Sequence, residues 1–297
     1  MSVPRGARPS VPRRWYTDPA RLGLLALLLS AALCFLLPLY VMSLTSLKSM
    51  EEIRNTSLFA LPPQLSFAAW RAAWSSACTG VACNGISTGF WNSVLIVIPS
   101  TLIAVGLGAL NGYALAFWRL RGAGTLFAVL MIGAFLPIQV MMLPLVRLLA
   151  PLHLVGTLTG IIIVHVIFSM PVMTLIFRNY YASLPRELFL AARLDGAGFL
   201  YAFLRLMLPM SLPMLAVAAI MQATGVWNDY LLGLVFAGRE HLPMTVQLNN
   251  LVNTTTGTRE YNVDMAATML TALVPLLIYA LAGRWFVRGI AAGSLKA

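Results

Sequence analysis

Six stretches of this chain are too long and too apolar for water to be their solvent. Leu22 to Leu44 runs without a single charge, long enough at 1.5 Å per residue to cross the ~30 Å hydrocarbon core of a bilayer. Comparable stretches follow at about 92–118, 125–146, 157–177, 210–237 and 264–283. Inside lipid a backbone must satisfy its own hydrogen bonds, which restricts a spanning chain to helices or closed barrels. Runs near twenty residues fit helices, whereas barrel strands need only about ten. The expected fold is therefore all-α: a polytopic integral membrane protein with six transmembrane helices. Composition agrees, since 60% of residues are hydrophobic and only 10% charged, against roughly 25% charged in soluble domains. The six spans form one domain, 22–288, between a Pro- and Arg-rich tail, 1–21, and a short tail, 289–297.

The first apolar run is read as an uncleaved helix. It is longer than a signal-peptide core and lacks a small-residue cleavage site. Leu33 before Cys34 also argues against lipoprotein processing.

Orientation follows from the basic residues in alternate loops. The side holding both termini, Arg119 and Arg121, and the loop 178–209 carries fourteen Lys and Arg and three acids. The other side carries six of each. Both termini are thus expected in the cytoplasm, with the protein in a bacterial plasma (inner) membrane. The net charge of +11 is explained by topology, without nucleic acid as a partner.

The loop 178–209 is unusual. Pro185 suits the start of a helix, because its missing N–H would be unpaired there anyway, and Glu187 falls in the first turn, where the dipole favours an anion. Leu188, Phe189, Leu190, Ala191, Ala192 and Leu194 follow, leaving almost no polar face, so this short helix calls for burial on more than one side. Gly196 supplies a left-handed stop. A second helix, about 199–207, is expected to end before Pro209. In the second span, Gly108 and Gly112 form a small-xxx-small pair that permits close helix approach.

These residues carry a resemblance. Leu190-Ala191-Ala192, Gly196, Leu206 and Leu208-Pro209 have the spacing of the "EAA" loop of membrane subunits of binding-protein-dependent ABC importers. Glu187-Leu188 and Asp195-Gly196-Ala197 resemble its carbohydrate-permease form. The motif's glutamate position is Leu190 here. Thr45 to Lys48, Asn92-Ser93, Pro137 and Pro144, and Trp227-Asn228-Asp229 resemble further elements of maltose-transporter-type permeases. The Cys78 to Gly85 insertion is most similar to the glucose/mannose subtype. The resemblance implies a permease subunit, not an enzyme, that imports a sugar. Its partners would be a homologous second permease, an ABC ATPase dimer that binds ATP and Mg, and an extracytoplasmic sugar-binding protein. It implies ATPase coupling through Glu187, Leu188, Leu190, Ala191, Ala192, Asp195, Gly196 and Ala197. No cofactor is expected in this chain.

Other chemistries were weighed on the residues themselves. Walker A needs Gly-Lys, but Lys48 and Lys296 each follow leucine. Gly85 to Gly89 spells Gly-x-Ser-x-Gly without the α/β context of a nucleophile elbow. His153, His165 and His241 lack metal-ligand spacing, and no metal site is expected. Gln139, His165, Gln222, Trp227, Asn228 and Asp229 are candidate substrate-pathway residues, polar or aromatic at span depth. For His165 an interhelical hydrogen bond is the alternative. For Asp229 it is a wet helix break. An ion-coupled secondary sugar transporter is the competing function, and it would want ionisable groups near the midplane. Cys78 and Cys83 lie on the outer side with Gly80 between them. An oxidising compartment would permit a disulfide, two free thiols being the alternative.

Overall fold

The structure is a computed structural model describing residues 19–80, 82–118, 121–253 and 259–294, with side chains to residue 283. All regular elements among them are helical. α1 (Pro19–Ser46) is followed by two short helices, α2 (Met50–Asn55) and α3 (Ala68–Ser75). Next come α4 (Ser87–Phe117), the bent pair α5 (Ala123–Phe135) and α6 (Ile138–Leu149), and α7 (Leu158–Ala182). The loop elements are α8 (Arg186–Leu194), α9 (Phe199–Ala202), a π turn (Phe203–Met207) and α10 (Leu208–Met210). α11 (Leu212–Asn228), α12 (Leu231–Phe236), α13 (Met244–Asn253) and α14 (Tyr261–Ser294) complete the described chain.

Among the described residues, four helices, α1, α4, α7 and residues 261–283 of α14, are long and apolar enough to cross a membrane. Two bent pairs, 123–152 and 199–228, raise the number to six if each counts as one crossing. The expected third span, 125–146, is not one straight helix: α5 and α6 meet at 111°. Pro137 lacks an N–H and forces Leu136 out of the helical region, to φ −71° and ψ 129°. The fifth span, expected over 210–237, breaks at Asp229 and Tyr230 and leaves α12 as a separate turn. Gly225 lies within α11.

Other boundaries also shift. α7 continues past Phe177 to Ala182, so Arg178 is helical and the loop begins at Ser183. The tail expected at 289–297 is helical as far as Ser294. Of the N-terminal tail, residues 1–18 lie outside the described residues. Pro209 does not end the second loop helix. Leu208 N–H reaches back five residues to the Phe203 carbonyl, and this π step is a local adjustment by which a helix accommodates a proline. The chain therefore stays helical to Met210 and turns by 79° at Ser211.

α4 and α7 form the central pair. A Cβ built on Gly108 would collide with Met173, and one on Gly112 would stand 2.6 Å from the Arg178 backbone nitrogen. The two helices are in contact because those positions have no side chain. Tyr113, Phe177, Tyr181, Phe203 and Met207 bury a cluster at the C-terminal end of this pair. A second cluster, around Ile86, Trp227 and Met244, lies at the N-terminal end of α4. A third joins Ile96, Leu149, Ile161 and Phe236. α1 is almost wholly exposed, with Leu33 at 68% and Phe35 at 80%, as a lipid-facing helix would be.

Candidate functional site

The loop 183–211 presents an apolar surface on a rigid mount. Pro185 is the N-cap residue of α8, one position before the first helical residue. Glu187 sits exposed in the first turn. The C-terminus closes as a Schellman motif: Gly196 at φ +80° donates its N–H to Arg193 O (3.1 Å), and Ala197 N–H donates to Ala192 O (2.9 Å). Asp195 is the C-cap. Phe189 turns inward. It stacks on Phe117 at 4.8 Å between centroids and meets Trp118 edge-on at 5.9 Å. Arg193 lies over the Trp118 ring at 4.6 Å. The opposite face is open: Leu188, Leu190 and Leu194 are 40%, 57% and 89% exposed. The expectation of burial on several sides is thus met on one side within this chain, and a leucine face is left unpartnered. A concavity of about 480 Å³ beside the elbow is lined by Ala192, Asp195, Gly196, Ala197, Gly198 and Tyr201.

Three tyrosines tie this mount to the spans. Tyr113 Oη donates to Phe199 O (3.2 Å), Tyr180 Oη to Met210 O (2.6 Å) and Tyr181 Oη to Ser211 Oγ (3.2 Å). All three bonds land after the elbow, on residues 199–211, and α8 before it is held to α4 by Phe189. Sequence reasoning missed Phe189 as the anchor. Its signal is the one aromatic ring in α8, where every other apolar residue is Leu or Ala.

The pathway candidates divide into three groups. His165 and Asp229 meet between α7 and α12, and Gln222 on α11 reaches α7 one turn further along. His165 Nε2 stands 3.9 Å from Asp229 Oδ2. Gln222 Nε2 donates to Ser169 Oγ, which itself donates to the His165 carbonyl. Ser169 was not foreseen, although it lies one helical turn beyond His165. Asp229 is more than a wet break: its carboxylate accepts from Leu232 N–H (3.3 Å) and Gly233 N–H (2.9 Å), capping α12. Trp227 points elsewhere. Its ring is 2% exposed, packs on Phe90 at 5.7 Å and donates Nε1–H to Thr271 O at 3.0 Å, joining α11 to α14. Gln139 on α6 is exposed and apart from this cluster, and Asn228 is exposed at the end of α11. The cluster offers donors and acceptors in a partly dry setting but no nucleophile paired with a base.

Cys78 and Cys83 are joined as a disulfide in a turn that packs against α3. Gly85 N–H donates to Ala77 O and Ile86 N–H to Ala73 O, both at 2.9 Å, so the turn is closed by backbone as well. We expect a maleimide reagent applied to oxidised membranes to label Cys34 alone after denaturation, with labelling at 78 and 83 only after reduction. Labelling of both without reductant would overturn the pairing.

Residues 104–292, more than half of the chain, match the family described as binding-protein-dependent transport system inner membrane component. The chain belongs to this family. Its members are membrane components of transport systems, not enzymes. The "osmoprotective compounds uptake permease protein" of Synechocystis is 36% identical over 217 residues, 72% of either chain. The "glucose import system permease protein" of Saccharolobus solfataricus is 30% identical over 265 residues, 87% of this chain and 89% of that one. Among solved structures, a bacterial ABC transporter involved in import of the acidic polysaccharide alginate superposes with TM-score 0.76 at 21% identity, covering 91% of this chain and 98% of that one. That likeness gives the fold: a multi-pass helical permease.

Proposed function

We propose that this chain is the permease subunit of an ATP-driven importer that moves a sugar handed over by an extracytoplasmic binding protein. The observation that carries the reading is the exposed leucine face of α8, held rigid by Phe189 and the Gly196 elbow. A surface that is apolar, exposed and firmly mounted is built for a protein partner, here the ATPase dimer that binds ATP and Mg. A homologous second permease completes the pathway. Both termini and the loop lie in the cytoplasm of a cell whose inner membrane holds the six spans. Support for a sugar comes from the glucose permease and alginate transporter to which the chain is similar.

Mechanically, closure of the ATPase pair displaces α8. Phe189 passes the motion to Phe117 and Trp118 at the inner end of α4, while Tyr180 and Tyr181 pass it to the bend at Ser211. α11 then rotates against α7 where Gln222 meets Ser169. His165, Gln222 and Asp229 line the proposed pathway as hydrogen-bonding groups. An ion-coupled carrier would use His165 and Asp229 for its driving ion. Asp229 spends both carboxylate oxygens on α12, which favours the ATP-driven reading.

Gly196→Val tests it. Space is not the obstacle, because a Cβ at Gly196 would meet nothing within 4 Å. The positive φ is the obstacle, and leaving it costs about 1 kcal/mol or more. The variant should insert and accumulate normally, while sugar uptake and binding-protein-stimulated ATP hydrolysis fall together. Leu190→Glu, which restores the motif's glutamate, should be tolerated. Normal uptake by a well-expressed Gly196→Val complex would remove the coupling role.

A further inference from the structure

From Asn55 to Trp70 the chain carries no charge. Five large apolar side chains there stand in the open: Leu58, Phe59, Leu61, Leu65 and Phe67 are 55–73% exposed. The structure fixes where it can go. Lys48 Nζ donates to Ser57 O at 3.0 Å, and Ser66 N–H donates to Leu47 O at 3.1 Å. Trp70 Nε1–H donates to Ser46 Oγ at 3.1 Å. Both ends of the loop are thus tethered to the last turn of α1 or the two residues beyond it.

That placement limits the reach of residues 58–65. Four residues out and four back extend at most about 14 Å from the tethers. The headgroup layer beyond the hydrocarbon is roughly 5–8 Å deep on each side. α1 has no buried residue across its apolar window, whereas the tether just beyond it is held fast, with Ser46 at 0% and Lys48 at 3% exposed, so the loop is fixed at the end of the span. The backbone suits such a site. Pro62 and Pro63 bring no N–H, and the Phe59 and Ala60 N–H groups are taken by Ser57.

We propose that residues 57–67 form an interfacial anchor in the outer leaflet, with Phe59, Leu61, Leu65 and Phe67 inserted among lipids. Lipid is favoured over a protein partner for two reasons. The patch is tethered at the end of a helix whose apolar window has no buried residue. It also has no charge with which to fix the register of a protein contact. An apolar patch beside a membrane boundary gains by entering the headgroup–acyl zone, as amphipathic anchors do. This inference needs α1 to span the membrane and is independent of ATPase coupling.

The test places an environment-sensitive nitrobenzoxadiazole probe on Leu61→Cys in the full chain. Cys34 is replaced by alanine, the Cys78–Cys83 disulfide is kept, and the protein is reconstituted in phosphatidylethanolamine–phosphatidylglycerol vesicles. Leu61 is 73% exposed, so the substitution removes little packing. Lipids bearing a nitroxide high on the acyl chain should cut the emission roughly twofold or more, and aqueous iodide should quench it weakly. The same probe on Glu51→Cys, an exposed site in α2, should show the reverse. A Phe59→Asp/Leu61→Asp variant should lose lipid quenching of a probe on Leu65→Cys. Iodide quenching at 61 equal to that at 51 would overturn the proposal. So would shielding that appears only when an extracytoplasmic binding protein is added, or unchanged lipid quenching in the double variant.

Discussion

Gly112→Leu should leave little folded permease in the membrane. A Cβ at this position falls 2.6 Å from both the Arg178 backbone nitrogen and the Phe177 Cβ. The obstruction includes main chain, so no rotamer change relieves it and α7 must move bodily. Forcing extra atoms into a packed contact typically costs about 1–3 kcal/mol, and here the contact is the central helix pair. Gly106 is the matched control. It lies on the same helix, is exposed, and a Cβ there meets nothing within 4 Å. Gly106→Leu should therefore accumulate and elute as the unmodified protein does. The measurement is fluorescence-detected size exclusion in mild detergent, with a thermal challenge. Equal monodisperse yield from Gly112→Leu and Gly106→Leu would show that α4 and α7 do not need this close approach.

Phe189→Ala should uncouple a permease that still folds. Phe189 is 8% exposed against Phe117, Trp118 and Tyr113. Truncating a buried phenylalanine costs about 3–5 kcal/mol. α8 has nine residues, too few to hold a helix in water without tertiary support. The loss therefore falls on the seating of α8 and spares the spans. A loss of about 3 kcal/mol changes the seated-to-unseated ratio roughly a hundredfold. Amide exchange in residues 186–194 should accelerate by about that factor, with α4 and α7 unchanged, and uptake should collapse. Phe189→Leu should keep most of both. Unchanged exchange in Phe189→Ala would show that Trp118 and Arg193 seat the helix without the ring.

Much of this molecule is written locally. Uncharged runs such as Leu22–Leu44 allow a helix across lipid and almost nothing else. Gly196 takes φ +80° because a glycine after a helix can adopt the left-handed stop without a Cβ penalty. Gly108 and Gly112 mark a close helix approach by spacing alone. Each signal acts within a turn or two of its own backbone, so one chain suffices to read it.

The remainder depended on which distant residues meet. Pro137 and Pro209 are the same residue type, yet one sits at a 111° break and the other lies within a π-adjusted helix that turns, by 79°, only at Ser211. The difference lies in what their surroundings can satisfy: Leu208 N–H finds the Phe203 carbonyl, and Met210 and Ser211 are held by Tyr180 and Tyr181. Trp227 and Asp229, two residues apart, serve opposite sides of α11. One donates to Thr271, 44 residues on, and the other caps α12 beside His165. Phe189 reads as one more apolar residue until Phe117 and Trp118 arrive beneath it. Hydropathy decides that a side chain leaves water. Only packing decides which partner receives it, because that choice is made by shape and hydrogen-bond geometry among elements far apart in the chain.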